Sequence, residues 1–297
     1  MITVDASFLK EVYRERPQWS HKGDFGKLLI ISGSKIYTGS PALAAYGAMA
    51  ALRSGVDVVT VAAPERAADM AAKYSPNLIT HPFDGDYFTT GHLKSVTELA
   101  KDFDAVVIGP GLGLEKDTQK FVSMFLDRMK KPCVIDADAI KSLKNKKLWD
   151  NFLLTPHAYE FYHMTGDKPK YDVLGRAELV RRHAKKIGAT ILLKGAIDII
   201  SDGRETAMSR TGNSYMTVGG TGDVLSGICG ALLAQKVRPF KAACAAAYLN
   251  GVAGTLAAKE KRPMLASDII EKIPDVLKDV LPEPEEKKAD KAEKTEK

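Results

Sequence analysis

"KLLIISG", residues 27–33, is a short apolar run that stops at a glycine, and it reads as a strand buried on both faces. The segment after it makes this strand half of a repeating unit. In "SPALAAYGAMAALRSG" (40–55), Ser40 stands at the N-cap, Pro41 at the first helical position and Gly55 at the stop. Alanines and Gly47 let this helix lie close to a sheet. "VDVVTVAAP" and "PERAADMAAKY" repeat strand and helix. "DAVVIGPGLG" (104–113) runs into the helix of "DTQKFVSMFLDRMK"; "KPCVIDADAI" (131–140) is a strand ending in acids. "NFLLTPHAYEF" (151–161) is a strand, a turn at Pro156 and a helix start. The amphipathic "AELVRRHAKKIG" leads to "ATILLKGAIDIISDG", a strand with a turn at Gly195 and a hairpin turn at Asp202–Gly203. "GTGDVLSGICGALLAQ" and "FKAACAAAYLNGVAGTLAAK" are close-packing helices rich in small residues, and "SDIIEKIPDVLKDVL" is a last amphipathic one.

Repeated strand–helix units predict an α/β fold, with a mostly parallel central sheet covered by helices on both faces and right-handed crossovers. Residues 1–282 are expected to form one domain, and the Lys/Glu/Ala-rich stretch 283–297 a charged, disordered tail. Hydrophobic content of 45% and charged content of 27% are those of a soluble globular chain, long enough at 297 residues for a sizeable core. The net charge of +6 suits anionic small molecules; it is too diffuse, without interleaved aromatics, for nucleic acid. Cys133, Cys229 and Cys244 lack metal-ligand spacing and sit in apolar runs, as buried thiols in a reducing compartment do. The charged N-terminus is no secretory signal and no apolar run reaches membrane-span length, so a cytoplasmic location is expected.

Sheets of this kind bind ligands beyond the carboxyl ends of their strands. Gly33, Gly109 to Gly113, Asp136, Asp138, His157, Lys194 and Gly195 all follow apolar runs. "VGGTGDVLSG" (218–227) adds a glycine-rich turn into a helix starting near Thr221. Its free N–H groups and dipole make an anion site around Gly220, Thr221 and Gly222. Asp223 in the first turn is out of place beside an anion unless it takes a proton, as general base for a hydroxyl that attacks a phosphate. A first-turn acid also stabilises a helix by a few tenths to about 1 kcal/mol on its own. The string is not a Walker loop, and "GPGLG" lacks the third glycine of a dinucleotide fingerprint. Lys194 at a strand end could meet a phosphate, though taken alone such a lysine is more often simply solvated; His157 serves a hydrogen bond or a substrate, and the "DADAI" acids a metal or the next helix.

Together, "HKGDFGKLLIISGS", "VVIGPGLG", "VIDADAI", "LLTPHAYEF", "LLKGAIDII" and "GNSYMTVGGTGDVLSGI" resemble the ribokinase-like superfamily, and more narrowly the ADP-dependent NAD(P)H-hydrate dehydratase family, over roughly residues 20 to 275. The resemblance implies a three-layer α/β/α sandwich. It implies repair of (6S)-hydrated NADH or NADPH: ADP, or ATP, phosphorylates the 6-hydroxyl, and elimination of phosphate restores the double bond and leaves AMP. By the same resemblance Asp223 is the catalytic base, and Lys194, Gly195, Ala196, Ile197 and Asp198, with Gly220, Thr221 and Gly222, hold the nucleotide. Ser40, Gly111, Gly113 and His157 touch the hydrated cofactor, and Mg²⁺ accompanies the phosphates with no ligand identified. A homo-oligomer is implied, tetrameric by analogy, with an NAD(P)H-hydrate epimerase as functional partner, since the N-terminal lead of about twenty residues is too short for the fused epimerase domain. "GSP" at 39–41 and "GNSYMTVGG" at 212–220, with Tyr215, depart from the family pattern. The alternatives are a ribokinase-like kinase for a vitamin-precursor alcohol of the hydroxyethylthiazole or hydroxymethylpyrimidine type, which would release its phosphorylated product, and an inactive nucleotide-binding protein.

Overall fold

A computed structural model of the chain describes residues 1–35, 40–144 and 146–281, with those at 40–42 described by backbone alone. The expected tail at 283–297, Gly39 and the Ser40 side chain lie outside the described residues.

The strands are β1 (Ile2–Thr3), β2 (Lys27–Ile31), β3 (Val58–Pro64), β4 (Ile79–Phe83), β5 (Ala105–Ile108), β6 (Cys133–Ile135), β7 (Phe152–Leu154), β8 (Thr190–Leu193), β9 (Asp198–Ser201) and β10 (Thr206–Ser209). They form one sheet in the order β1-β10-β9-β8-β7-β6-β5-β2-β3-β4. From β4 to β8 every pair is parallel; β9 runs antiparallel to both β8 and β10, as the Asp202–Gly203 turn predicts. The helices are α1 (Ser7–Val12), α2 (Ser40–Arg53), α3 (Glu65–Tyr74), α4 (Leu93–Leu99), α5 (Lys116–Arg128), α6 (Ala137–Ile140), α7 (Ala158–Thr165), α8 (Val173–Ile187), α9 (Thr221–Ala234), α10 (Pro239–Glu260) and α11 (Ala266–Leu277).

Alternate residues of each strand feed two cores. Leu28, Ile30, Val107, Val134 and Leu192 face α1, α2, α3 and α9 to α11. Leu29, Ile31, Val106, Ile135 and Leu193 face α4 to α8. This is the period-two consequence of a sheet buried on both sides, which is why its strands read as continuous apolar runs. The three expected layers are therefore present.

The chain steps outward from β2 to β3 and β4, then returns to place β5 on the other flank of β2. The crevice of a doubly wound sheet opens at such a reversal, beyond the strands' carboxyl ends. The loops after β2 and β5 are tied across it: Gly33 N–H donates to Pro110 O (3.1 Å) and Gly109 N–H to Ile31 O (3.2 Å).

Helix α9 is buried from Val224 to Ala234, so its apolar residues run all round it. Two glycines let it sink. A β-carbon on Gly227 would strike the Gly47 carbonyl of α2, and one on Gly230 would lie 2.5 Å from Val107 Cγ2 of β5. Wedged between α2 and the sheet, α9 has a fixed N-terminus, and that end carries the site.

Candidate active site

Gly220 caps α9 at φ +95°, a left-handed conformation, and a β-carbon there would lie 2.9 Å from Leu43 Cδ2. The first bond back into the helix cap runs from Val224 N–H to Gly220 O (3.0 Å). The N–H groups of Gly222 and Asp223 precede it and lack the intrahelical carbonyl partner that later residues of a helix have; the Asp223 carboxylate accepts from its own N–H. Asp223 stands among them, part-exposed, in the first turn of α9.

Three strand ends converge on this turn. Lys194 follows β8, and its ammonium donates to Asp136 Oδ1 (3.1 Å) and lies 3.9 Å from Glu160 Oε2. A β-carbon on Gly222 would be 3.3 Å from the same Nζ, so the lysine borders the helix end directly. Asp136, after β6, is buried and is fixed by its own backbone. Its N–H donates to Ile108 O (3.0 Å), and its carbonyl fills the space a β-carbon on Gly109 would need. Gly109 sits at φ +137°, and Ala137, next to Asp136, is held at φ +49°. Strain of this kind, commonly about 1–3 kcal/mol, gathers where a side chain has to be aimed.

Glu160 comes from α7 through a capping box. His157 Nδ1 accepts from the N–H groups of Tyr159 (3.1 Å) and Glu160 (3.3 Å), and the Glu160 carboxylate accepts from His157 N–H (2.8 Å). With Nδ1 an acceptor, the network assigns the imidazole proton to Nε2, 3.3 Å from Glu160 Oε1. His157 thus holds Glu160 at the cluster, while half of its own side chain stays exposed at the crevice.

Three carboxyl groups therefore share one ammonium, and their proton affinities follow. Burial, then the neighbouring Asp136, push Asp223 up to about 7; Lys194 pulls the other way. Burial also raises Glu160, against the pull of Lys194. Burial alone would lower Lys194, but Asp136 and Glu160 outweigh it and keep the ammonium charged. A carboxylate poised near neutrality at a helix N-terminus is suited to taking a proton.

The loop after β5 closes one wall. Gly111 and Gly113 take φ +62° and +80°, and Gly113 N–H donates to Asp138 Oδ2 (3.0 Å), while Lys141 Nζ donates to Asp138 Oδ1 (2.9 Å). Asp138 is thus spent on the loop. Ser34, against Gly113, and Thr155, at the end of β7, are buried with hydroxyls that find no partner among the described residues. On the other flank, the turn Lys194–Gly195–Ala196–Ile197–Asp198 is closed by Gly195 N–H donating to Asp198 Oδ1 (2.9 Å). Burial raises Asp198 to about 6 despite that bond. Arg176 of α8 lies over Gly195.

The altered loop at 212–217 is well tied. Asn213 accepts from Tyr215 N–H (2.9 Å) and donates to Gly254 O (3.2 Å), while Met216 lies against Gly254. Tyr215 points outward, half exposed. A cavity of about 680 Å³ lined by Asn151, Lys185, Arg204 and Arg238 opens at the other end of β7 and β8 and shares no residue with this site.

No three carboxylates, imidazoles or thiols stand together as metal ligands among the described residues. The acids near Asp223 are occupied by Lys194 rather than free to cage a cation. A Mg²⁺ arriving with a nucleotide would keep phosphate and water ligands.

A family model described as NAD(P)H-hydrate dehydratase matches residues 28–275. The chain belongs to the NAD(P)H-hydrate dehydratase family. It is 44% identical over 262 residues to a bifunctional NAD(P)H-hydrate repair enzyme of Pyrobaculum aerophilum, covering 87% of this chain and 52% of that protein. The chain spans about half the length of that relative and of other bifunctional enzymes it matches. It is 40% identical to an ADP-dependent (S)-NAD(P)H-hydrate dehydratase of Cenarchaeum symbiosum, covering 87% of this chain and 91% of that one. A crystal structure of the ADP/ATP-dependent NAD(P)H-hydrate dehydratase of Bacillus subtilis, co-crystallised with ATP and Mg²⁺, is similar at a TM-score of 0.78 and 28% identity, over 92% of this chain and 96% of that one. The ribokinase-like fold is shared more widely, with a TM-score of 0.83 over 94% of the chain.

Against this dehydratase family background, the structure brings Gly220, Thr221, Gly222, Asp223 and Lys194 together and sets Gly111, Gly113 and His157 on the walls around them. Glu160 and Arg176, which the sequence did not single out, join the site beside Asp136, which it marked only as a strand-end acid. The His157–Glu160 spacing was a readable capping signal. Arg176, on an amphipathic helix, carried none.

Proposed function

We propose that the chain is an ADP-dependent dehydratase that restores NADH or NADPH from their (6S)-hydrated forms. The observation that carries this is the placement of Asp223 in the first turn of α9, at the helix end that the Lys194 ammonium borders. The 6-hydroxyl of the hydrated nicotinamide ring lies against Asp223. As its oxygen attacks the β-phosphorus of ADP, the carboxylate takes its proton and AMP leaves. The amides of Gly222 and Asp223 and the Lys194 charge stabilise the transferring phosphoryl group. Phosphate then departs from C6 with the C–O electron pair, C5 gives its proton to solvent, and the ring double bond returns. Hydroxide leaves poorly and phosphate leaves well, which is the reason for the detour.

The turn at 194–198 takes the adenine nucleotide, with ATP as a second donor, and Ser40, Gly111, Gly113 and His157 take the hydrated cofactor. Family membership supports this placement. No helix among the described residues is long and apolar enough to cross a membrane. The reading places the enzyme in the cytoplasm as a homo-oligomer, working beside an NAD(P)H-hydrate epimerase.

The test is an absorbance assay on hydrated NADH with ADP or ATP in separate cuvettes. The proposal expects recovery of the reduced-nicotinamide band in a nucleotide-dependent manner. A stable phosphorylated product with no recovery would make the chain a kinase instead.

A further inference from the structure

Arg176 has no part in the chemistry above, yet its position is specific. It sits early in α8, and its guanidinium lies across the turn that follows β8: a β-carbon on Gly195 would be 2.7 Å from Nη2 and 3.1 Å from Nη1. Its Nε is buried and has no hydrogen-bond partner among the described residues. Burial loosens its hold on its proton against the pull of Asp198, one of whose oxygens already accepts from Gly195 N–H. A cation held in a partly dry place with a donor unspent is costly unless something anionic completes it.

The neighbouring residues say where that anion lies. Lys194 Nζ borders Gly222, where the transferred phosphoryl group is placed, and is already shared with Asp136 and Glu160. One residue further along the same turn, Gly195 meets Arg176. A diphosphate laid from Gly222 along this turn leaves its second phosphate unneutralised by Lys194 and within the province of Arg176. The planar guanidinium fork is the side chain that suits two phosphate oxygens.

We infer that Arg176 is a nucleotide-specificity residue, whose guanidinium grips the phosphate that stays with the adenosine and so selects a phosphorylated nucleotide over a bare nucleoside. The inference rests on the reading of residues 194–198 as the nucleotide turn.

Calorimetric titration of the full chain with ADP, AMP and adenosine tests it, on wild type, Arg176→Gln and Arg176→Lys. The expected result is at least a tenfold loss of ADP and AMP affinity in Arg176→Gln, a smaller loss in Arg176→Lys, and unchanged adenosine binding in both. ADP affinity within twofold of wild type would overturn the assignment. So would a parallel loss for adenosine, which would mean that Arg176 only shapes the turn. Should Arg176→Gln fail to fold, as judged by nucleotide-free melting, the ADP-to-adenosine ratio in Arg176→Lys decides by itself. Wild-type chain that does not bind ADP would sink the nucleotide reading, and this inference with it; binding that is intact in wild type and undiminished in the variants would sink the inference alone.

Discussion

Asp223→Asn should separate the cost of the site from its use. The carboxyl group moves from an ordinary value of 3.8 to about 7 in the folded chain. Each unit of such a shift is worth about 1.4 kcal/mol between the charged and neutral forms. The ceiling on the penalty for holding Asp223 ionised is therefore about 4 kcal/mol. Asp223 is part-exposed, and solvent screening brings the expected figure to about 1–2 kcal/mol. The sign follows from the folded value lying above the unfolded one. Below about pH 4 both states are protonated and nothing is lost. The penalty grows between there and pH 7 and is constant above. Asparagine keeps the shape and removes the charge, so the variant should gain about 1–2 kcal/mol at pH 8 and almost nothing at pH 4. Urea unfolding at the two values reads this difference directly. Turnover of hydrated NADH should fall by about 10²–10⁴-fold at the same time, the usual worth of a positioned base. A variant that is less stable at pH 8, or that keeps its turnover while folded, would refute the reasoning.

Other outcomes follow from the same cluster. In wild type, kcat/KM should rise with pH, reach half its maximum near 7 where Asp223 ionises and stay level above, as a pH–rate profile would show. Lys194→Gln leaves Asp136 and Glu160 buried without their cation; urea titration should show about 3–5 kcal/mol of destabilisation, the cost of breaking a buried pair. Because Lys194 holds the Asp223 value down, the pH midpoint of any remaining activity should move upward. Gly109→Ala would drive a β-carbon into the Asp136 carbonyl from a φ of +137°, and should cost at least about 3 kcal/mol by chemical denaturation, with loss of activity.

The architecture was readable because buried parallel strands leave a plain mark: "KLLII", "AVVI" and "TILL" are continuous apolar runs, each ending at a residue that bends the chain. Edges were less visible. β4 is "ITHPF", with a proline and mostly exposed side chains, and β1 is two residues that pair only because β10 is already there. No local pattern marks such a strand; the sheet does. At the site, Gly220 to Asp223 announced themselves through glycine and an ill-placed acid. Asp136 and Glu160 did not, because their meaning is a shared ammonium delivered from 58 and 34 positions away in the chain (194 − 136 and 194 − 160). A helix N-terminus by itself favours the ionised form of a first-turn acid; at Asp223 burial and Asp136 outweigh it and raise the carboxyl group to about 7.

The most direct test of the account is a single-turnover chemical quench with ADP labelled in its β-phosphate and hydrated NADH. The label should pass to a transient phosphorylated cofactor and then to inorganic phosphate, with one AMP formed for each NADH. Label that stays in ADP while NADH appears would contradict phosphoryl transfer at the start of α9, and with it the role given to Asp223.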